Sequence, residues 1–239
     1  MKTILKELTP PIVWKFLKRI FKSNNTFFSL DSIDQKMLKY LNYENGFYIE
    51  LGAYDGITFS NTLYFEKHKK WTGILIEPVP HLYLLSRKNR STKNKFFNNA
   101  CVSFSYTEPY VEMIYAGPMS VSKIQKSDIK DHLEHANLGK KFLPTSEDLF
   151  YFGAKASTLN TILELSDAPR IIDFLSLDVE GAELEVLKGV NHQQYRFRYI
   201  CVESRNIELM QKYLERQNYV LLEKLSSQDY LFFDPLNKI

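Results

Sequence analysis

"FLSLDVEGAELEVLKG", residues 174–189, joins a short apolar run to a turn that is crowded with acids. The apolar run has the length of a buried β-strand, and Asp178 ends it. Apolar residues recur at helical spacing from Ala182, so a helix follows the turn within a few residues. The stretch therefore predicts a strand–turn–helix unit that carries Asp178 and Glu180 at the carboxyl end of the strand.

The same alternation of strand-length apolar runs and helical periods extends along the chain from Ser32. It predicts an α/β fold with a mostly parallel, seven-stranded sheet and helices on both faces. The last two strands are separated by three residues and must pair antiparallel. The predicted strands are residues 47–51, 73–77, 96–104, 173–178, 199–203, 219–225 and 229–234. Helices are predicted at residues 32–41, 60–68, 80–89, 158–165 and 207–217, and from residue 182.

Residues 31–239 are predicted to form one domain, because no Gly/Ser-rich linker divides them. Residues from about 104 to 156 are predicted to be an ordered insertion on the substrate side, and residues 1–30 an N-terminal extension. Within the extension, residues 12–22 predict a short basic amphipathic helix. Such a helix suits contact with an anionic membrane surface, or packing against its own domain or a partner.

The charge balance, with Lys+Arg 31 and Asp+Glu 28, does not call for a polyanionic partner. The basic run at residues 86–95 predicts a solvated helix end and loop, with RNA binding as a minor alternative. Both cysteines lie inside apolar runs, which favours buried thiols over a disulfide or zinc site. The first residues contain no apolar stretch long enough to span a bilayer. We therefore expect a cytoplasmic protein, with peripheral attachment to the inner membrane surface as an alternative.

A glycine-containing turn follows the first predicted strand in "IELGAYDGITFSN", residues 49–61. Gly52 and Gly56 let the backbone approach a ligand closely, and the next helix presents free N–H groups. The glycine spacing differs from the dinucleotide fingerprint, and Glu50 would repel a pyrophosphate. An acid in this position suits a cationic ligand, and S-adenosylmethionine carries both an ammonium and a sulfonium group.

The next two strands complete a predicted nucleoside site. Glu77 ends the second strand, where a carboxylate can accept hydrogen bonds from both hydroxyls of a ribose. Ala100 and Cys101 are small residues that suit the edge of an adenine. The predicted cofactor-binding residues are Glu50, Gly52, Ala53, Asp55, Gly56, Asn61, Glu77, Pro78, Ala100, Cys101 and Asp178.

The segments "IELGAYDG", "LIEP", "ASTLNTIL", "IDFLSLDVEGAELEVLKG" and "ICVE", in this order, resemble the FkbM family of S-adenosylmethionine-dependent methyltransferases. The resemblance covers roughly residues 47–203 and implies a class I methyltransferase fold. It implies O-methylation of a hydroxyl, commonly on sugars, glycans or polyketides. It also implies that Asp178 and Glu180 lie beside the transferred methyl group. Asn160 stands where the family often has an acid, so a charge at that place is in question.

The candidate catalytic residues are Asp178, Glu180, Glu203 and His192. Asp178 and Glu203 end neighbouring predicted strands, so their carboxylates should emerge together at one edge of the sheet. They could hold Mg²⁺, although a metal-free site is the favoured alternative. His192 is a candidate general base in a loop.

Other ionisable residues are predicted to face solvent and to take no part in catalysis. Glu183 and Glu185 are predicted to favour solvent at the start of a helix, with Glu185 spaced to pair with Lys188. His132 and His135 are predicted to lie on a solvated helix face.

The sequence therefore predicts an S-adenosylmethionine-dependent O-methyltransferase that acts on a sugar or glycan. Two alternatives stay open: a lipid, polyketide or peptide acceptor, or a catalytically silent binding module with the same fold.

Overall fold

A computed structural model describes residues 26–124 and 127–237. The basic helix predicted for residues 12–22 lies outside these ranges. Among the described residues, no helix combines the length and apolar character needed to cross a membrane.

Eleven strands occur in the described ranges. In chain order they are β1 (Phe47–Leu51), β2 (Thr72–Ile76), β3 (Lys95–Phe97), β4 (Ala100–Val102), β5 (Tyr110–Tyr115), β6 (Val121–Ser122), β7 (Phe150–Thr158), β8 (Ile171–Leu177), β9 (Arg196–Glu203), β10 (Val220–Lys224) and β11 (Asp229–Phe233). Seven of them form the main sheet, in the spatial order β10-β11-β9-β8-β1-β2-β3. β3, β2, β1, β8 and β9 are parallel to one another, whereas β11 runs antiparallel to both β9 and β10. The predicted parallel sheet ending in an antiparallel hairpin is confirmed.

The α-helices pack on both faces of this sheet, except the helix at His132–Gly139, which packs against β5 and β6. In chain order they are α1 (Ile33–Met37), α2 (Leu63–Lys69), α3 (Pro80–Asn89), α4 (His132–Gly139), α5 (Leu159–Leu165), α6 (Glu183–Leu187) and α7 (Ile207–Arg216). α5, α6 and α7 bury apolar side chains against one face, where Ile49 and Leu175 point. α1 and α2 bury theirs against the other face, where Tyr48 and Phe174 point. Adjacent strand residues thus serve opposite layers, because side chains alternate across a sheet.

The prediction of one strand at residues 96–104 is wrong, because this segment forms two strands that belong to two different sheets. β3 is an edge strand of the main sheet, whereas β4 pairs in parallel with β7. Asn98 marks the division: its amide donates to the carbonyls of Glu77 and Pro78 at 2.8 and 2.9 Å. These bonds hold the chain at the end of β2 and direct it away from the first sheet.

A second sheet, in the order β4-β7-β5-β6, belongs largely to the segment predicted as an insertion. On one of its faces Val111 and Ala154 are clustered with Ala182, which lies just before α6. The amide of Asp128 also donates to the carbonyl of Gly181 at 2.8 Å. The second sheet therefore lies against the turn that follows β8, at the carboxyl edge of the main sheet.

Candidate functional site

A cavity lies between the carboxyl edge of the main sheet and the second sheet. It holds about 950 Å³ of empty space, counting the solvent at its mouth. Nine predicted site residues line it: Glu50, Gly52, Asn61, Glu77, Pro78, Ala100, Cys101, Asp178 and Glu180. The second sheet and its connections contribute Met113, Gly117, Pro118, Ser120 and Ser122. Ala53, Asp55, Gly56, Glu203 and His192 are not among the lining residues.

Gly52 brings the turn after β1 against the end of β8. Its φ is +76°, and a Cβ atom built there would lie 1.9 Å from the carbonyl oxygen of Asp178. A larger residue would therefore separate the two strand ends, and the left-handed conformation would also be strained. The glycine predicted for close backbone approach thus contacts the chain itself, beside the cavity.

Glu50 is paired within the protein, which corrects the expectation that its charge is free for a cationic ligand. Its carboxylate accepts hydrogen bonds from the hydroxyls of Ser60 and Thr62, at 2.8 and 2.7 Å. Arg90 Nη1 lies 3.0 Å from Glu50 Oε2, and Arg90 Nε lies 2.7 Å from Glu66 Oε2. Arg90, predicted to be a solvated residue after α3, is buried. The charge of Glu50 is therefore neutralised from beneath the cavity.

The remaining predicted loop residues shape the turn without lining the cavity. Asp55 accepts hydrogen bonds from the amides of Ile57 and Thr58 at 2.8 and 2.7 Å. Gly56 has a φ of +81° and packs against Arg90 and Ser86. Ala53 is buried in the core beneath the turn.

Glu77 presents its carboxylate to the cavity between two backbone donors. The amide of Tyr54 donates to Oε2 at 2.8 Å and that of Val79 to Oε1 at 2.9 Å. Burial raises the pKa of Glu77 to about 7, despite these two hydrogen bonds. Each oxygen keeps a further lone pair for a ligand hydroxyl, which is the predicted role of this residue.

Asp178 lies at the end of β8 and is open to the cavity. The protein that surrounds it, and then the nearby carboxylates of Glu203 and Glu180, raise its pKa well above the usual range. A hydrogen bond also joins the carboxyl groups of Asp178 and Glu203. The two predicted strand-end acids are therefore brought together, with only Asp178 in the cavity wall.

Glu183 forms the third member of this acidic cluster, which corrects its predicted solvated position. One carboxylate oxygen each of Asp178, Glu183 and Glu203 can be chosen so that all lie within 4.8 Å of one another. Glu183 is 1% exposed, and its Oε1 accepts from the amides of Val179 and Gly181, both at 3.0 Å. Burial raises its pKa to about 7. Three oxygen ligands could hold a hard cation, but two of these groups already have protein partners, since Arg205 Nη2 lies 3.6 Å from Glu203 Oε1.

Glu185 is also buried, at 3% exposure, so its predicted preference for solvent is wrong. The predicted pairing with Lys188 is present, at 2.7 Å.

Glu180 lines the cavity, is paired with Arg205 and lies beside His135, and sequence reasoning predicted neither contact. It has a φ of +55°, and its Oε2 lies 2.8 Å from Arg205 Nη2 and 3.0 Å from His135 Nε2. His135, on α4, was predicted to lie on a solvated face; its side chain is only 10% exposed. His132 is half-buried, and the Nε2 atom of its ring is buried without a hydrogen-bond partner.

His192 does not reach the cavity, so its candidacy as a general base is corrected. Its ring is buried among the rings of Phe197, Tyr213 and Tyr219. Its Nε2 lies 3.1 Å from the carbonyl oxygen of Leu187. Burial lowers the pKa of His192 to about 4, which keeps the ring neutral.

Asn160 has a structural role where an acid was in question. Its side-chain Oδ1 accepts from the backbone N–H of Asn191 at 3.0 Å, and the backbone N–H of Asn160 donates to the carbonyl of Gly189 at 2.9 Å. These bonds tie the start of α5 to the chain that leaves α6, so the neutral side chain satisfies its neighbours without a charge.

The sequence matches the family model described as "Methyltransferase FkbM domain" over residues 50–231. A search of curated proteins finds no match. Among solved structures, the chain is similar to M. capricolum TrmK in complex with the natural cofactor product S-adenosyl-homocysteine. That similarity has 11% identity and a TM-score of 0.40, and it covers 84% of this chain and 65% of the TrmK chain. This chain thus spans slightly less than two thirds of that structure.

A second similar structure is precorrin-6y C5,15-methyltransferase from Geobacter metallireducens GS-15. It has 10% identity and a TM-score of 0.41, with 88% of this chain and 91% of that chain covered.

Proposed function

This chain belongs to the FkbM family of S-adenosylmethionine-dependent methyltransferases, and from that premise we propose that it methylates a hydroxyl group of a sugar or glycan. The cavity residues support a division of labour. Glu77 would hold the ribose hydroxyls, while Ala100 and Cys101 would contact the adenine. Gly52 keeps the β1 turn beside Asp178, so that the methyl donor and the acid would share one side of the cavity.

One observation carries the assignment of Asp178 as the general base. Four carboxylates line the cavity, and three of them have an arginine or backbone amides as partners among the described residues. Glu50 is paired with Arg90, Glu180 with Arg205, and Glu77 accepts from two backbone amides. Among the residues that the structure describes, Asp178 has neither a cationic nor an amide partner, and it shares a hydrogen bond with Glu203. It is therefore the carboxylate best able to receive a proton.

The proposed reaction needs a base because a sugar hydroxyl is a weak nucleophile at neutral pH. S-adenosylmethionine, when bound, supplies an electrophilic methyl group. Asp178 would accept a hydrogen bond from the acceptor hydroxyl, orient its oxygen and take its proton as the oxygen attacks. The raised pKa of Asp178 makes its carboxylate a stronger base than an ordinary aspartate.

We propose that this reaction proceeds without a metal ion. A cation held by Asp178, Glu183 and Glu203 would compete with Arg205 for Glu203, and with two backbone amides for Glu183. If a metal were held there, the same three residues would be its ligands, and it would lower the pKa of the acceptor hydroxyl.

The test combines binding with transfer. Calorimetry with S-adenosylmethionine should show binding that Glu77→Ala weakens. Radiolabelled cofactor, incubated with panels of oligosaccharides, hydroxylated lipids and polyketides, should then label a carbohydrate. Label in a lipid or polyketide alone would replace the sugar assignment. Tight cofactor binding without transfer to any panel would favour a silent binding module.

A further inference from the structure

The wall of the cavity has an unusual charge pattern. Among the described residues that line it there are four carboxylates and no lysine, arginine or histidine. The chain as a whole has a formal net charge of +3, so this absence is a local property of the cavity. An acceptor anion that entered would find no unpaired cation among the described residues of the wall.

The two arginines that contact carboxylates of the wall are already paired with protein groups. Arg90 is buried between Glu50 and Glu66, behind the wall. Arg205 bridges Glu180 and Glu203, with its Nη2 atom 2.8 Å from the first and 3.6 Å from the second. Recruiting either guanidinium to a ligand would leave a buried carboxylate unpaired, which is strongly unfavourable.

The second sheet and its connections form one side of the cavity. Every described residue that they contribute to the wall is uncharged. Met113, Gly117, Pro118, Ser120 and Ser122 line the cavity from this side. Of the two hydroxyls, that of Ser120 donates to the carbonyl of Gly117. That of Ser122 is buried without a hydrogen-bond partner. Small residues and hydroxyl groups suit a neutral, hydroxylated ring and offer nothing to a phosphate or carboxylate.

We infer that the sugar unit that receives the methyl group is neutral. It carries no phosphate, sulfate or carboxylate inside the cavity. This inference rests on the proposed function and makes its acceptor class narrower. The selectivity comes mainly from a missing partner charge, because an acidic analogue of the same shape would bury its anion without an unpaired cation among the described residues of the wall.

A matched pair of acceptors tests the inference: a p-nitrophenyl hexopyranoside, and the uronide that differs only in a carboxylate at C6. We expect kcat/KM for the neutral glycoside to exceed that for the uronide by about 100-fold or more. Equal rates, or preference for the uronide, would overturn the charge inference and leave sugar methylation intact. If neither glycoside is methylated, the sugar assignment and the inference that rests on it both fail.

Two variants at one position separate charge from shape. Pro118 lines the cavity and is half-buried, so Pro118→Lys places a cation beside the acceptor. Pro118→Gln adds the same backbone N–H and a long polar side chain without the charge. The lysine variant should reduce the preference for the neutral acceptor about tenfold, while the glutamine variant should keep it within about threefold. Equal effects of both variants would show that shape, not charge, sets the preference.

Discussion

Arg90 Nη1 lies 3.0 Å from Glu50 Oε2, and their side chains are 0% and 5% exposed. The same guanidinium donates to the carbonyl of Gly56 at 3.1 Å. The pair therefore joins the end of β1 to the turn that follows it, from the side opposite the cavity. Sequence patterns assign the charge of Glu50 to ligand binding, whereas in the structure this charge holds the turn after β1 in place.

Removal of Arg90 should destabilise the fold. Arg90→Met would leave Glu50 and Glu66 buried without their cation, and we expect a loss of about 3–5 kcal/mol in the free energy of unfolding. Urea denaturation measures this, with the exposed Arg87→Met as the control. A loss below about 1 kcal/mol would contradict the structural importance of the pair.

Glu77 should make cofactor affinity depend on pH. With a pKa of about 7, the carboxylate is mostly protonated at pH 6 and mostly ionised at pH 8. If ribose binding needs the ionised acceptor, affinity should rise about tenfold over this interval. Glu77→Gln should bind more weakly and lose the pH dependence, whereas Glu215→Gln, on the exposed surface of α7, should behave as wild type. Calorimetry at both pH values measures the affinities. If the affinity of the Glu77 variant changed with pH as much as that of the wild type, the proposed role of Glu77 would be contradicted.

Asp178→Asn should lower kcat by about 10²- to 10⁴-fold, the usual contribution of a general base. Because the pKa of Asp178 is raised, wild-type activity should increase as the pH rises and the carboxyl group ionises. Glu183→Gln is the matched control: it belongs to the same acidic cluster, and glutamine keeps an oxygen for the two backbone amides. Equal losses in both variants would argue that the cluster as a whole, not Asp178, supports the reaction.

Arg205 should tune the acids beside the cavity. Its positive charge lowers the pKa of Glu203, so Arg205→Gln should raise that pKa and move the rising limb of the pH–rate profile upward. A shift of about half a pH unit or more is expected for a lost ion pair. Arg198→Gln is the control, because Arg198 pairs with Asp173 at 3.1 Å and neither residue lines the cavity. An unshifted profile in the Arg205 variant would refute the coupling.

Activity should survive removal of divalent cations. The oxygens of Glu183 and Glu203 already have protein partners, so excess EDTA is expected to leave kcat within about twofold and added Mg²⁺ should not stimulate it. Labelled-cofactor assays before and after chelation measure this. Loss of activity that Mg²⁺ restores would instead establish the acidic cluster as a metal site.

The local pattern of the sequence determined the fold and the main-sheet side of the cavity. Strand-length apolar runs placed Glu50, Glu77 and Asp178 at strand ends, and parallel strands bring such ends to one edge of a sheet. Gly52 followed from the need for a turn at that edge. The antiparallel hairpin followed from a three-residue connection, since a parallel crossover needs many more residues.

The partners of these acids were decided only by the tertiary structure. Arg90 reaches Glu50 across 40 positions of chain, and His135 reaches Glu180 because the second sheet carries α4 to the turn after β8. Neither contact has a periodicity or a local motif. The sequence by itself therefore determined where carboxylates emerge. Long-range packing decided which of them are neutralised and, within residues 26–124 and 127–237, left Asp178 facing the cavity without a cation.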